Sequence, residues 1–303
     1  MATTLTVNSN YSGSAAGEII GAAFKEADTI ANNLVTVLPD VDFKVSLRKI
    51  SYANGRTDFA CGFTPSGAVT LSEKEIVPKK LKNEQEICKE DLRQIWSSAT
   101  MGFSAHNDNM PADVEAALLN EILGDHAQAV DFDIWNGSDA TDGSFTGFTT
   151  LFAADANVVK PTSVGAAASK SNVIAEIEKV LSAIPVSLRR KSDLVVGISP
   201  DVALAYEQAL VSAGIANGLG GDSKELRYGS QVLSVINGLA DGTIVAYQRK
   251  NLYFGTGLLA DHQEIRIKDM DDTDFTGTVR FKMVYTAGVA YVNSEEIVYY
   301  TFQ

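Results

Sequence analysis

The chain holds three histidines, His106, His126 and His262, and two cysteines, Cys61 and Cys88, the residue types that most often carry catalysis or bind transition metals. No histidine stands four positions from another or inside a metal-ligand pattern, so a zinc enzyme is not expected. His126 falls in an acidic segment and His262 follows Asp261, which reads as surface imidazoles facing water or carboxylates. The two cysteines are too few for a disulfide framework and read as buried thiols. A phosphate-cradling loop needs a Gly-Lys pair and a serine hydrolase elbow needs Gly-x-Ser-x-Gly; neither occurs. The glycine cluster GLGGDS (218–223) neither follows a strand nor opens a helix as a dinucleotide site requires, and reads as a loop. Asp269, Asp271, Asp272 and Asp274 could offer oxygens to a hard cation, but they lack the alternating spacing and closing Glu of a calcium loop and read as a solvated turn. Asn136-Gly137-Ser138 fits a glycosylation acceptor, yet reads as a helix stop. Trp96, Trp135, Tyr299 and Tyr300 have few basic neighbours and read as packing anchors. The expectation is a protein without catalytic residues, metal or cofactor.

The elements around these residues are those of a globular chain. Of its 303 residues 45% are hydrophobic and 21% charged, which excludes disorder and leaves room for one large or two small domains. No run of 18 apolar residues and no basic-then-apolar leader is found, so neither a membrane span nor secretion is expected. The net charge of −13 argues against a surface that grips nucleic acid phosphates. The charge is polarised: residues 44–82 hold eight basic and three acidic side chains, and residues 101–163 hold one basic and ten acidic.

Ala16, Ile20, Ala23, Ala27, Ile30 and Leu34 recur at steps of three and four, predicting a helix over 15–37 closed by Pro39. Val41, Phe43, Val45 and Leu47 alternate with polar residues, as do Val69 and Leu71, so 43–82 reads as two extended arms joined by a turn-rich tip that buries little of itself. KNEQEICKEDLRQIW (82–96) reads as helical. The strongest helix starts at Pro111 and carries Leu119, Leu123, Ala127, Val130 and Ile134 along one side, beside a second stripe of Val114, Leu118 and Ile122. It ends at Asn136-Gly137, where glycine can turn left-handed. Beyond it, helices over 171–184 and 200–214 alternate with strands at DLVVGIS, QVLSVI, GTIVAYQ and NLYFGTG in an α+β block, and the last fifth is mostly strand.

Read in order, these parts resemble the major capsid protein of tailed bacteriophages, the Hong Kong 97-type fold. GEIIGAAFKEADTIANNLVTVLPDV looks like its amino-terminal arm and KVSLRKISYANGRTDFACGFTPSGAVTLSEKEIVPKK like its extended E-loop. ADVEAALLNEILGDHAQAVDFDIWNG is similar to its spine helix, WNGSDATDGSFTGFTTLF to the turn that leaves that helix, LVVGISPDVALAYEQAL and GSQVLSVINGLADGTIVAYQRKNLYFGTG to its axial domain, and EIRIKDMDDTDFTGTVRFKMVYTAGVAYVNSEEIVYY to the peripheral β-arm and closing strand. The resemblance implies an N-terminal arm (1–43), an E-loop (44–85), a peripheral domain (86–136 and 256–287) and an axial domain (137–255 and 288–303). It implies a homo-oligomer of hexamers and pentamers in the shell of a virion, enclosing double-stranded DNA without sequence-specific binding. A portal and a separate scaffolding protein would be partners, since no charged helical scaffolding segment precedes the arm. An encapsulin-like nanocompartment around protein cargo shares the fold and is the competing expectation. No Lys, Asn and Glu set for an isopeptide cross-link can be aligned.

The charge polarity suggests how subunits would meet. Lys44, Arg48, Lys49, Lys74, Lys79, Lys80 and Lys82 on the loop of one copy are expected to lie over Asp113, Glu115, Glu121, Asp125, Asp131 and Asp133 on the spine of the next. Exposed pairs contribute only about 0.2–1 kcal/mol each, so they would register a contact held by Phe59, Phe63, Val69 and Leu71.

Overall fold

The computed structural model describes residues 8–12, 28–41, 43–52, 55–59, 61–62, 67–88, 112–214, 226–257, 264–270 and 276–302, with side chains from 28 onward except those of 112–121 and 264. Three β-layers organise them. The longest strand, β12 (Thr278–Tyr291), runs through the centre of the first. Along its first ten residues it pairs antiparallel with β5 (Lys79–Cys88), and on its other edge with β11 (Glu264–Asp269), which pairs in turn with β1 (Asn8–Ser12). Its last four residues pair with β10 (Leu252–Gly255), which takes β2 (Thr36–Leu38) as a parallel neighbour.

One face of this six-stranded sheet is apolar: Ile265, Ile267, Val279, Phe281 and Met283 are buried in the same cluster as Ile122, Leu123, Val130, Ile134 and Trp135 of helix α2 (Ala112–Asn136). At 25 residues and 1.5 Å per residue, α2 is about 37 Å long. The predicted long helix is present with its expected stop, but for another reason: Gly137 does not take a positive φ. A Cβ there would sit 2.2 Å from the Phe145 carbonyl oxygen and 2.6 Å from that of Asp133. Glycine is required because the returning loop crosses the helix end at van der Waals contact, with the Gly147 N–H donating to the Gly137 carbonyl at 2.8 Å.

The second layer is a five-stranded sheet in the order β13 (Val298–Thr301), β9 (Thr243–Gln248), β6 (Leu194–Ile198), β8 (Gln231–Val235), β7 (Leu226–Tyr228). Strand alternation gives it two buried faces. Val196, Ile198, Ile244, Ala246 and Tyr300 lie under α4 (Val173–Ala183) and α5 (Pro200–Ser212), while Val195, Val245 and Tyr247 join the cluster around Trp135. The short helix α3 (Phe148–Ala154), most of which lies in the stretch similar to the turn that leaves the spine helix, adds Phe148 and Phe152 to that junction.

The third layer is a two-stranded antiparallel hairpin, β3 (Val45–Tyr52) with β4 (Val69–Ile76).

Several expectations are corrected. Of the helix expected over 15–37, Asp28–Ala31 form one turn, α1, and the chain leaves it before Thr36, while residues 15–27 lie outside the described residues. Asn33 takes the left-handed conformation (φ 50°), and the N–H groups of Asn33 and Leu34 return to the carbonyls of Ile30 and Thr29, the double bond of a Schellman stop. The helix expected over 82–96 is strand up to Cys88, because β12 offers it a ten-residue ladder; residues 89–96 lie outside the described residues. The extended arms therefore end at Ile76, and 79–88 belongs to the six-stranded sheet. Both cysteines are exposed free thiols, so the expectation of burial fails. His126 is buried, not at the surface: its ring meets that of Tyr285 edge-on at 4.5 Å, and desolvation lowers its pKa from the ordinary 6.5 to about 4. Trp135, Tyr299 and Tyr300 pack as expected. His106, His262, Trp96, the 218–223 cluster, Asp271, Asp272 and Asp274 lie outside the described residues, among which no group of three or more His, Cys, Asp or Glu is placed to hold a metal and no helix is long and apolar enough to cross a membrane.

Candidate assembly interface

The hairpin is amphipathic in two directions. Directly opposed residues share a face, so Val45/Ile76, Leu47/Lys74, Lys49/Ser72 and Ser51/Thr70 form one side and Ser46/Glu75, Arg48/Glu73, Ile50/Leu71 and Tyr52/Val69 the other. The first side is anchored at its base. Ile76 is buried with Val41 and Ala290, and Leu38, Val45, Leu47 and Tyr253 close around them. The second side is charged near the base and apolar near the tip, where Ile50, Tyr52, Val69 and Leu71 are each 66–70% exposed and Phe59 is 95% exposed. Among the described residues no layer covers these side chains, and a two-stranded ribbon has no second sheet of its own to bury them.

Within the subunit several basic residues of the loop meet partners of their own chain. Lys44 pairs with Glu75 and Arg48 with Glu73 (2.9 Å) across the ribbon itself. Lys79 Nζ donates to the Ser144 carbonyl at 2.9 Å and meets Asp139 at 2.8 Å, and Lys82 pairs with Glu84 at 2.7 Å. Lys80 is exposed on β5, and Lys49 lines a cleft of about 240 Å³ between the ribbon and the 292–295 turn.

The acidic candidates divide likewise. Asp131 is buried and accepts the Thr29 N–H at 2.9 Å; burial raises its pKa. Asp133 accepts the Ser144 hydroxyl at 2.9 Å and is also raised, by desolvation. Both hold the subunit together from inside. Asp125 is exposed, and Phe63 together with the side chains of Asp113, Glu115 and Glu121 lies outside the described residues. Among the described residues no ion pair joins the two sets of charges within the subunit.

One cluster escaped the sequence reading. Lys74, from the ribbon, lies over the Tyr291 ring at 3.5 Å from its centroid and donates to Ser294 Oγ at 3.1 Å and Asp155 Oδ2 at 3.3 Å. The same carboxylate oxygen accepts the Tyr291 hydroxyl and the Ser294 hydroxyl, each at 2.7 Å, while Oδ1 accepts the Asn157 N–H at 2.9 Å. These donors hold the Asp155 carboxyl well below the usual range, the Tyr291 hydrogen bond foremost, and burial with the Asp155 contact pushes the Tyr291 phenol up. No local pattern flags four residues this far apart.

No protein-family model and no curated protein matches the chain. Its backbone does match solved structures. A chain of the satellite phage P4 procapsid, a structure that includes the size determination (Sid) protein, superposes with TM-score 0.60 at 12% identity over 94% of this chain and 98% of that one. A Gordonia phage Cozz chain gives 0.60 at 13% identity over 90% and 86%, and the virus-like particle from Pyrococcus furiosus gives 0.52 at 10% over 93% and 96%. Sequence identity this low carries the architecture alone, and over nearly its whole length the chain shares the fold of these phage capsid structures, as the resemblance to the Hong Kong 97-type implied.

Proposed function

We propose that the chain is the major capsid protein of a tailed double-stranded DNA bacteriophage, self-assembling into hexamers and pentamers that close an icosahedral shell. The observation that carries this reading is the hairpin: the distal face of the ribbon exposes Ile50, Tyr52, Val69 and Leu71 with no partner layer among the described residues of its own subunit, and a neighbouring copy would supply one. On this reading the six-stranded sheet and α2 form the peripheral domain and the five-stranded layer the axial domain. DNA would lie inside without sequence readout, and a portal and a separate scaffolding protein would complete the particle, built in the host bacterial cytoplasm. The subunit's role is structural rather than enzymatic.

The likeness to a virus-like particle favours a second reading, an encapsulin-like compartment around protein cargo. Electron microscopy and sedimentation of the expressed chain test the shared claim: rings of five or six subunits, or closed shells, support it. A compact monomer at high concentration whose hairpin amides resist deuterium exchange overturns it. Particles purified from the native source then separate the readings, since nucleic acid absorbance with a portal vertex supports the virus and protein cargo the compartment.

A further inference from the structure

We propose that Lys74 is a positioning residue for assembly: its ammonium group, seated on Asp155, Ser294 and Tyr291, sets the angle at which the hairpin leaves the subunit. The inference rests on the reading that the hairpin reaches a neighbour. Apolar anchoring of the ribbon stops early. Ile76, Val45 and Leu47 pack at its base, and the residue opposite Leu47 is Lys74. Beyond that pair the body-facing side carries only Lys49, Ser72, Ser51 and Thr70. Among the described residues of β3 and β4, Lys74 is thus the outermost one bonded to the body.

The receiving site is built from three separate stretches of chain. Asp155 ends α3, Tyr291 ends β12 and Ser294 opens the turn that follows. An ammonium group has three N–H donors, and here they meet a carboxylate oxygen, a hydroxyl oxygen and an aromatic face, so its donor capacity is filled in one orientation. Asp155 is fixed in turn by Tyr291, Ser294 and the Asn157 N–H. A surface ion pair leaves its partners free to swing; this one is held from both ends.

The lever arm makes the angle matter. From Lys74 to Val69 is about 17 Å at 3.4 Å per residue, so a 10° error in the exit angle displaces Val69 by about 3 Å, close to the whole range of a side-chain contact. A ribbon spread over many angles would present its apolar strip correctly only a fraction of the time, and the apparent affinity for a neighbour falls by that fraction.

Spin labels on Thr70→Cys and Glu207→Cys, in a chain carrying Cys61→Ser and Cys88→Ser, report the angle as a distance distribution in the unassembled subunit. A narrow distribution is expected with Lys74, broadening in Lys74→Met and Asp155→Asn and recovering in Lys74→Arg, which keeps the charge. Capsomer formation should slow about tenfold in the two broadened variants if the competent angle is populated about one part in ten. Equal widths in all four chains, or a broad distribution with Lys74 intact, overturn the proposal whether or not shells form. A narrow-to-broad change in a chain that never assembles retains the positioning role within the subunit and removes the capsid reading instead.

Discussion

Replacing Ile50 and Leu71 together by serine separates folding from association. The two are directly opposed on the outward face, 70% and 68% exposed, and belong to none of the buried clusters. Burying an aliphatic side chain completely stabilises by about 1.5–3 kcal/mol, and roughly two thirds of that is still unspent here, so a neighbour covering both gains about 3 kcal/mol. At 1.4 kcal/mol per factor of ten, the double substitution should raise the protein concentration at which capsomers appear about a hundredfold. The fold of the subunit should hardly notice, since surface changes away from special features fall within about 0.5 kcal/mol and move the melting temperature of a chain this size by no more than about 2 °C. Light scattering against concentration reads the first quantity and calorimetry of the dissociated subunit the second. An unchanged threshold, or a large drop in subunit melting temperature, would refute the reasoning, because the strip would then be either unused or already covered by its own chain.

Gly137→Ala should destabilise the subunit by several kcal/mol, since its methyl group would overlap the Phe145 carbonyl oxygen of the returning loop and the Asp133 carbonyl oxygen of the helix itself; chemical denaturation measures it. Burial disfavours the proton on His126, so the stability this residue contributes is fully present above pH 6.5 and lost as the pH falls towards about 4, where the folded form also binds the proton. That loss amounts to about 3 kcal/mol, and His126→Leu should flatten this limb of the stability-versus-pH curve in denaturation experiments between pH 4 and 7. Lys79→Glu should lower the subunit's melting temperature, because Lys79 serves the Ser144 carbonyl and Asp139 of its own chain, whereas Lys80→Glu should leave it unchanged. Equal melting temperatures for these two variants would mean that the Lys79 contacts contribute nothing.

What the sequence determined by itself is whatever a residue's near neighbours decide. The apolar spacing of 112–136 required a helix, and the alternation at 41–47 and 69–71 required extended arms, whatever the rest of the chain did. The ordering of those parts along the chain was enough to suggest the capsid fold. Tertiary structure decided the rest, wherever a distant partner outweighed local preference. Lys79–Cys88 is rich in Lys, Glu and Gln and favours helix alone, yet becomes strand because β12, nearly two hundred residues on, sets Arg280 against Glu86 and Lys282 against Glu84. Asp131 and Asp133 look like surface charge until Thr29 and Ser144 are brought against them. Lys74 looks like any lysine of a basic loop until Asp155, Tyr291 and Ser294 converge on it. Periodicity reports which side of an element avoids water; which polar group meets which is fixed only when the layers close, because a hydrogen bond or ion pair needs its partner within about 3 Å.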